Sequence, residues 1–429
     1  MRTGIQQKVS AVITRGYVTF LLLLLSTFTL ANSILIPMDD KQANHLKAYG
    51  IAFSVLKADV DVDWLLNYRG GSFMVKYSSV VEKECRVRGV SYEVVSDAQT
   101  NRILTLIADP DVNMNVVKLQ KAPKVVVYSP IKVSPSEFEN NDAVLLVLAY
   151  AEIPFEVVYD EEVLNGDLAK YDWLHLHHED FTGQYGRNMR RMTVEDVKAQ
   201  EDIARRHGYA KVSHMKLAVA KSIKEFCAGG GYLFAMCSAA ETLDIALAAE
   251  GVDIVDSSFD GDGIDPNAQS KLDFNQTVAF QNFTLEYQEG YGGMAFSNIN
   301  STASSGYYQS LDFFSLFDFS AKWDIIPAML VQNHENVIKE FYGQTTAFTK
   351  STVKPNVLVL GQSKSSDRYL YGELGRGQWV FYGGHDPEGR RGGGHRMATD
   401  LNLYPHSAGY RLILNNVLFP SARKKKRKT

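Results

Sequence analysis

The residue of this chain best suited to chemistry is a cysteine placed where a predicted strand turns into a helix. Glycines 229–231 lead into a short apolar strand that ends at Cys237, and helical residues follow at once. Ala235 and Ala239 stand two residues to either side, and such a turn needs small residues there. The pattern predicts a nucleophile elbow, with the sulfur near a helix N-terminus that lowers the pKa of the thiol. The alternative is an ordinary buried cysteine of an α/β core.

Two further loops carry side chains that can assist a thiol. Residues 175–180 read His-Leu-His-His-Glu-Asp, and residues 383–389 contain His385 and Glu388. Both loops follow predicted parallel strands, as Cys237 does. Ligands bind at the carboxyl ends of the strands in open α/β sheets, so we expect the three loops to meet at one edge.

The residue types in these loops are those of a nucleophile, a base and an orienting acid. We expect His385 to take the proton of Cys237, and Glu388 or Glu179 to orient the imidazole of His385. Backbone N–H groups of Ser238 and of the loop after residue 177 are expected to form an oxyanion hole.

The histidine cluster has a second interpretation as a metal site. His175 and His177 point to one face of their strand, and His178 and Glu179 follow. This spacing is compatible with zinc, but no His-Glu-x-x-His or paired Cys-x-x-Cys pattern accompanies it. We expect His177 and His178 to contact the substrate, with no metal and no cofactor required. A hydrogen-bonded structural cluster is the other alternative.

A glycine-rich turn at residues 68–72 is a candidate anion site. Its backbone N–H groups and the guanidinium of Arg69 can hold an anion, although the same residues are typical of a simple turn. We therefore count Arg69 among the candidate substrate-binding residues.

Composition excludes several classes of protein. The 429 residues are enough for two domains, and 45% hydrophobic and 22% charged residues are typical of a globular chain. A net charge of −4 gives no general attraction to nucleic acid. Three cysteines are too few for a disulfide scaffold.

The N-terminus predicts export to the periplasm or the medium. Three basic residues precede the apolar run at 17–31, and the first acidic residue is Asp39. The run has the length of a signal-peptide core, and residues 31–33 have the small-x-small form of a cleavage site. We expect no membrane span after cleavage, and an uncleaved N-terminal anchor is the alternative.

Apolar strands alternate with amphipathic helices over most of the chain. This pattern predicts an α/β protein with two doubly wound parallel-sheet lobes. The expected divisions are a signal peptide at 1–33, a first lobe at 34–120, a second domain at 121–420 and a basic tail at 421–429. Periodicity fades at about 260–350, which we interpret as a β-rich insertion.

The second domain resembles the class I glutamine amidotransferase-like superfamily, which has a flavodoxin-like fold. The glycine-rich strand that leads to Cys237 carries the likeness, together with the late strand followed by His385 and Glu388. Residues 379–386 also look like the ThuA-like branch of that superfamily. The resemblance implies a Cys-His hydrolase or transferase acting on an amide or ester in a small molecule, glycan or peptide. The alternative is a non-catalytic ThuA-like module that binds a carbohydrate or a protein.

The mature chain is also similar to an exported bacterial family often labelled asparagine synthetase B. Residues 34–38, 63–71 and 175–180 carry this likeness. Asparagine synthetase needs a cysteine at position 2, where this chain has Arg2, and a Ser-Gly-Gly-x-Asp-Ser loop that the sequence lacks. We therefore expect no ATP-dependent asparagine synthesis.

Overall fold

The computed structural model describes most of the chain after the predicted signal peptide. The described residues are 31–130, 142–185, 193–288, 294–300, 308–309, 313–339, 342–343, 345, 347–389 and 399–422. The apolar core of the predicted signal and most of the basic tail lie outside these ranges, and residues 31–33 begin the first strand. Within the described ranges, no helix is both long and apolar enough to cross a membrane.

The N-terminal lobe is a five-stranded sheet with three helices. Its elements are β1 Ala31–Ile36, α1 His45–Lys57, β2 Val62–Leu66, β3 Ser72–Lys76, α2 Ser79–Arg88, β4 Glu93–Ser96, α3 Asp97–Ala108 and β5 Asn115–Leu119. The strand order is 4-1-3-2-5, and each neighbouring pair is antiparallel. The prediction of a doubly wound parallel sheet in this lobe is wrong.

A hairpin that the sequence analysis did not predict explains the difference. β2 and β3 are joined by a turn in which Asn67, Arg69, Gly70 and Gly71 all have positive φ. These left-handed residues reverse the chain, so β3 lies between β1 and β2 and runs opposite to both. Alternating strand and helix patterns predict the elements but not the direction in which strands pair.

The second lobe begins with alternating strands and helices. These elements are β6 Val125–Tyr128, α4 Ala143–Tyr150, β7 Glu156–Val158, α5 Asp160–Leu164, β8 Trp173–Leu176, α6 Val194–Arg206, α7 Val212–Ala228, β9 Tyr232–Met236 and α8 Cys237–Ala248. Shorter elements follow, and the lobe ends on a hairpin and a helix. They are α9 Ser257–Asp260, α10 Ala268–Lys271, β10 Leu285–Gln288, β11 Met294–Ser297, β12 Tyr308–Gln309, β13 Phe314–Leu316, α11 Ile325–Leu330, β14 Val337–Ile338, β15 Tyr342–Gly343, β16 Leu358–Gln362, β17 Asp367–Leu374, β18 Gly377–Tyr382 and α12 Ala408–Leu418.

Nine of these strands form one mixed sheet in the order 14-13-16-17-18-9-8-6-7. The five strands from β18 to β7 are parallel to their neighbours, and those from β14 to β18 are antiparallel. The chain is therefore a mixed α/β protein whose second sheet contains parallel strands. β13 and β14 join this sheet although they fall within the predicted insertion.

The elements that support Cys237 are buried throughout. Every residue of β8, β9 and α8 is buried. The Asp244 carboxylate of α8 accepts hydrogen bonds from the backbone N–H groups of Val278, Ala279 and Phe280 at 2.6–2.8 Å. Charge-assisted bonds of this kind are strong, so they fix α8 against the following segment.

The two lobes meet along α1 and α12 around a buried arginine. The Arg411 guanidinium donates to the Met38 carbonyl at 3.0 Å and to the Tyr49 hydroxyl at 3.1 Å, and it lies 3.2 Å from Nδ1 of His334. The His45 ring stacks on His334 at 4.0 Å and donates from Nε2 to the Met38 carbonyl at 3.0 Å. Burial and the charge of Arg411 lower the pKa of His45 to about 2 and that of His334 to about 4.

These histidines predict a loss of stability in acid. Below pH ~6.5 the unfolded chain takes up protons that folded His45 excludes, so the free energy of unfolding falls by on the order of 1 kcal/mol per pH unit for this residue. We expect a shallower slope for His45→Gln than for the wild type in urea titrations at several values from pH 7 to 4.5. His214→Gln, at an exposed position of α7, is the control and should keep the wild-type slope. An unchanged slope in His45→Gln would refute this role for the interface.

Candidate functional site

The three predicted strand-end loops meet at the carboxyl edge of the parallel strands. The backbone N–H of Cys237 donates to the Gly384 carbonyl at 3.0 Å, and that of Ala239 donates to the His177 carbonyl at 3.1 Å. These bonds join the loop after β9 to the loops after β18 and β8. The predicted convergence of the loops is confirmed.

The backbone at Cys237 has the conformation expected of an elbow. β9 ends at Met236, α8 begins at Cys237, and Cys237 has a φ of 51°. Positive φ is uncommon for a residue with a side chain. Nucleophile elbows have a strained turn of this kind between a strand and a helix. None of the three cysteines, which all lie in the described ranges, forms a disulfide.

A chain of hydrogen bonds leads from His385 to a buried carboxylate. Nε2 of His177 lies 2.7 Å from Nδ1 of His385, and Nδ1 of His177 lies 3.1 Å from Oδ1 of Asp142. Asp142 also caps α4, because its Oδ1 accepts from the backbone N–H groups of Val144 and Leu145 at 2.7 and 3.1 Å. Asp142 is not among the residues predicted from the sequence, although it follows a strand and precedes a helix at the same sheet edge as the other loops. A carboxylate at a helix start beside a strand-end loop was the available signal.

His175 completes the group around Asp142. Its Nδ1 donates to the Phe234 carbonyl at 3.2 Å, and its Nε2 lies 3.2 Å from Oδ2 of Asp142. Burial raises the pKa of Asp142, but the charges of His177 and His175 outweigh this and hold the pKa well below its usual range. Burial lowers the pKa of His175, whereas the carboxylate overcomes burial at His177 and raises its pKa. Of the two imidazoles, His177 is therefore the one whose protonated form the Asp142 carboxylate favours.

Glu179 and His178 extend the loop after β8. Oε2 of Glu179 accepts from the backbone N–H of His177 at 2.6 Å, and the Glu179 carbonyl accepts from the Thr242 hydroxyl of α8 at 2.7 Å. Burial raises the pKa of Glu179 to about 7. The His178 ring centre lies 5.2 Å from that of His177 and 5.7 Å from that of His385. Both residues thus lie beside His177 at the carboxyl edge of the sheet.

Asp386 anchors the loop that carries His385. Its carboxylate accepts from the Tyr410 hydroxyl of α12 at 2.7 Å, from the Thr399 hydroxyl at 2.6 Å and from the Glu388 N–H at 2.9 Å. Burial raises the pKa of Glu388, whose carboxyl group also has a hydrogen bond with Ser407. The orienting role expected of Glu388 or Glu179 stays a prediction. The contact seen at Nδ1 of His385 is with Nε2 of His177, which in turn contacts Asp142.

Ser238 and Arg69, the two remaining residues predicted to bind the substrate, lie in different parts of the structure. Ser238 is buried in the first turn of α8, beside Cys237. Arg69 belongs to the hairpin turn of the N-terminal lobe, where its guanidinium binds Asp39 and Glu93, each at 2.7 Å. These ion pairs hold Arg69 in that turn, and they give it a structural role separate from the three loops.

No protein-family model matches the chain, and no curated protein matches it. Among solved structures, cytoplasmic protein STM3548 from Salmonella typhimurium is 12% identical, with a TM-score of 0.34 over 70% of this chain and 100% of that one. Cytoplasmic protein STM1381 from Salmonella typhimurium LT2 is 10% identical, with a TM-score of 0.34 over 70% of this chain and 99% of that one. Gan42B, a GH42 beta-galactosidase, is 12% identical, with a TM-score of 0.26 over 62% of this chain and 28% of that one. These likenesses are too weak to assign a family or a function.

A large cavity of about 1460 Å³ lies at the opposite edge of the sheet. It is lined by residues that precede the parallel strands, among them Asp172 before β8, Gly231 before β9 and Arg376 before β18. The amino edge and the carboxyl edge of the sheet therefore offer two separate surfaces, and the candidate catalytic residues lie at the carboxyl edge.

The left-handed backbone of Cys237 predicts an unusual response to glycine. A side chain in this conformation costs about 1–2 kcal/mol, which glycine avoids. We expect Cys237→Gly to be at least as stable as Cys237→Ala in urea unfolding. The control is Ala240→Gly, a buried helical position of the same element, which should lose about 1 kcal/mol or more relative to wild type. An equal loss from the alanine-to-glycine step at both positions would contradict the strained elbow.

Proposed function

We propose that this chain is an exported cysteine-dependent hydrolase or transferase that acts on an amide or an ester. The single observation that carries the proposal is the left-handed conformation of Cys237 at the β9–α8 junction, beside the loops of His177 and His385. Backbone strain of this kind costs free energy and clusters at functional sites. The basic and apolar N-terminus supports export.

The order of the parallel strands supports the glutamine amidotransferase-like assignment of the second lobe. When β6, β7, β8, β9 and β18 are numbered 1 to 5, their order across the sheet is 2-1-3-4-5. This is the order of flavodoxin-like sheets, which bind ligands at the carboxyl ends of their strands. The three candidate loops follow strands 3, 4 and 5 of this set.

The hydrogen-bond chain supports the assignment of one nitrogen of His385 as the base. In the state with a neutral His177, the Asp142 carboxylate accepts from Nδ1–H of His177, and Nε2 of His177 accepts from Nδ1–H of His385. We assign Nε2 of His385 as the nitrogen that takes the proton of the Cys237 thiol. The charge that forms is shared across the 2.7 Å bond to His177 and balanced by Asp142.

The thiolate then attacks the carbonyl carbon, forming a carbon–sulfur bond and moving one electron pair onto the carbonyl oxygen. The Cys237 and Ala239 N–H groups bond to other loops, whereas the Ser238 N–H lies between them in a helical turn that gives it no intrahelical partner. We assign the oxyanion to this N–H. Collapse of the intermediate breaks the bond to the amine or alcohol, which takes the proton from His385. Water or an amine acceptor then cleaves the thioester.

One observation favours the alternative function as a binding module without catalysis. Cys237 is only 1% exposed and belongs to the hydrophobic core. If the sulfur has only a packing role, the same loops would form a ThuA-like surface for a carbohydrate or a protein.

Replacement of the sulfur distinguishes these two functions. We expect Cys237→Ser to lose hydrolysis by at least about 10³-fold, with a nearly unchanged melting temperature because serine is close to isosteric. The measurement is turnover of a panel of p-nitrophenyl esters and p-nitroanilide amides. Cys85→Ser, in the N-terminal lobe, is the control and should keep wild-type turnover. Wild-type rates in Cys237→Ser would rule out catalysis by the cysteine.

A further inference from the structure

The site has a second property that its predicted chemistry does not use. We propose that His177, His178 and His385 bind one exchangeable divalent ion of the late transition metals, with Zn²⁺ the expected occupant, and that the bound ion inhibits the enzyme. One ring nitrogen of each histidine lies within 4.8 Å of the other two. Three imidazoles are a common ligand set for zinc. The inhibitory part rests on the proposed function, because an ion bound to His385 would prevent this residue from acting as the base.

Asp142 orients the His177 ring for binding a metal ion. Ligating histidines usually donate their other ring N–H to a carboxylate, which fixes the ring and makes the ligating nitrogen more basic. Nδ1 of His177 faces Oδ1 of Asp142 at 3.1 Å, so Nε2 is the nitrogen turned toward His385. This carboxylate–histidine pair is buried and is already in place in the structure.

The burial of the three rings favours an accessible, exchangeable site. His177 is buried, whereas His178 and His385 are half-buried. Three protein ligands leave a fourth tetrahedral position for water. With zinc–nitrogen bonds of 2.0–2.1 Å, tetrahedral ligands lie roughly 3.4 Å apart, so the 2.7 Å separation of His177 and His385 must lengthen on binding. The loss of this hydrogen bond weakens the affinity.

Two other groups of histidines are weaker candidates for the metal site. Asp142, His175 and His177 form a second possible ligand set, but all three are buried and already bonded to one another. The interface cluster consists of His45, His334 and His406, which contact one another between the two lobes. There His334 contacts the guanidinium of Arg411, whose positive charge repels a cation. The group that includes His178 is therefore the expected site.

Titration of the full chain with Co²⁺ and Zn²⁺ tests the proposal. After EDTA treatment and removal of the chelator, we expect calorimetry to show one ion per chain and Co²⁺ to give the absorption of a tetrahedral site. His178→Gln should weaken binding at least about tenfold, and Asp142→Asn, which can still cap α4, by about 10–100-fold. His406→Gln, in the interface cluster, is the control and should bind as the wild type does. Unchanged affinity in His178→Gln would overturn the proposal, whether the ion then sits beside His175 or on the surface.

Hydrolysis assays separate the two proposals. We expect Zn²⁺ to inhibit Cys237-dependent turnover in proportion to the occupancy measured by calorimetry, and EDTA to restore it. Stoichiometric binding without inhibition would overturn the inhibitory role. Metal-free protein that shows no Cys237-dependent turnover would overturn the proposed function together with the inhibition that rests on it, while the binding data would still decide the metal site.

Discussion

The candidate site depends on one backbone constraint, the change from strand to helix at Cys237. β9 ends at Met236 and α8 begins at the next residue, so the chain turns within a single left-handed position. The turn is held from both sides by bonds to Gly384 and His177. The surrounding strands and α8 are buried, and close-packed interiors resist rearrangement. This packing offsets the free-energy cost of the strained backbone at Cys237. It also fixes the positions of the three loops relative to one another.

The second constraint is the charge of Asp142. An ionised carboxylate in a protein interior is costly unless it is paired and hydrogen-bonded. Asp142 meets this need with the N-terminus of α4, with His175 and with His177. These partners fix the orientation of the His177 ring. Nε2 of His177 then lies within hydrogen-bond distance of Nδ1 of His385. The same arrangement serves a base in the proposed reaction and a ligand set for a metal ion.

Some of the fold and the site could be predicted from the sequence. The parallel strands that precede His177 and Cys237 are short, mostly apolar runs with turn residues at their ends, so the sequence pattern was sufficient to find them. The direction of the strands in the N-terminal lobe was not predictable in this way, because it follows from the left-handed turn around Arg69 and from β3. The role of Asp142 was not predictable from the sequence either, because its histidine partners lie more than 30 residues away along the chain and only the fold brings them together.

The most direct test of the account is the reactivity of the three thiols. Burial raises the pKa of Cys85 to about 11 and that of Cys227 to about 12, so both should react slowly at pH 7. Under the proposed function, Cys237 has a larger thiolate fraction, because a helix N-terminus and a histidine base favour the charged form of a thiol. Iodoacetamide labelling followed by mass spectrometry should therefore modify Cys237 at least about tenfold faster than the other two, and His385→Gln should slow it. Equally slow labelling of all three cysteines would contradict the nucleophile and favour a binding module.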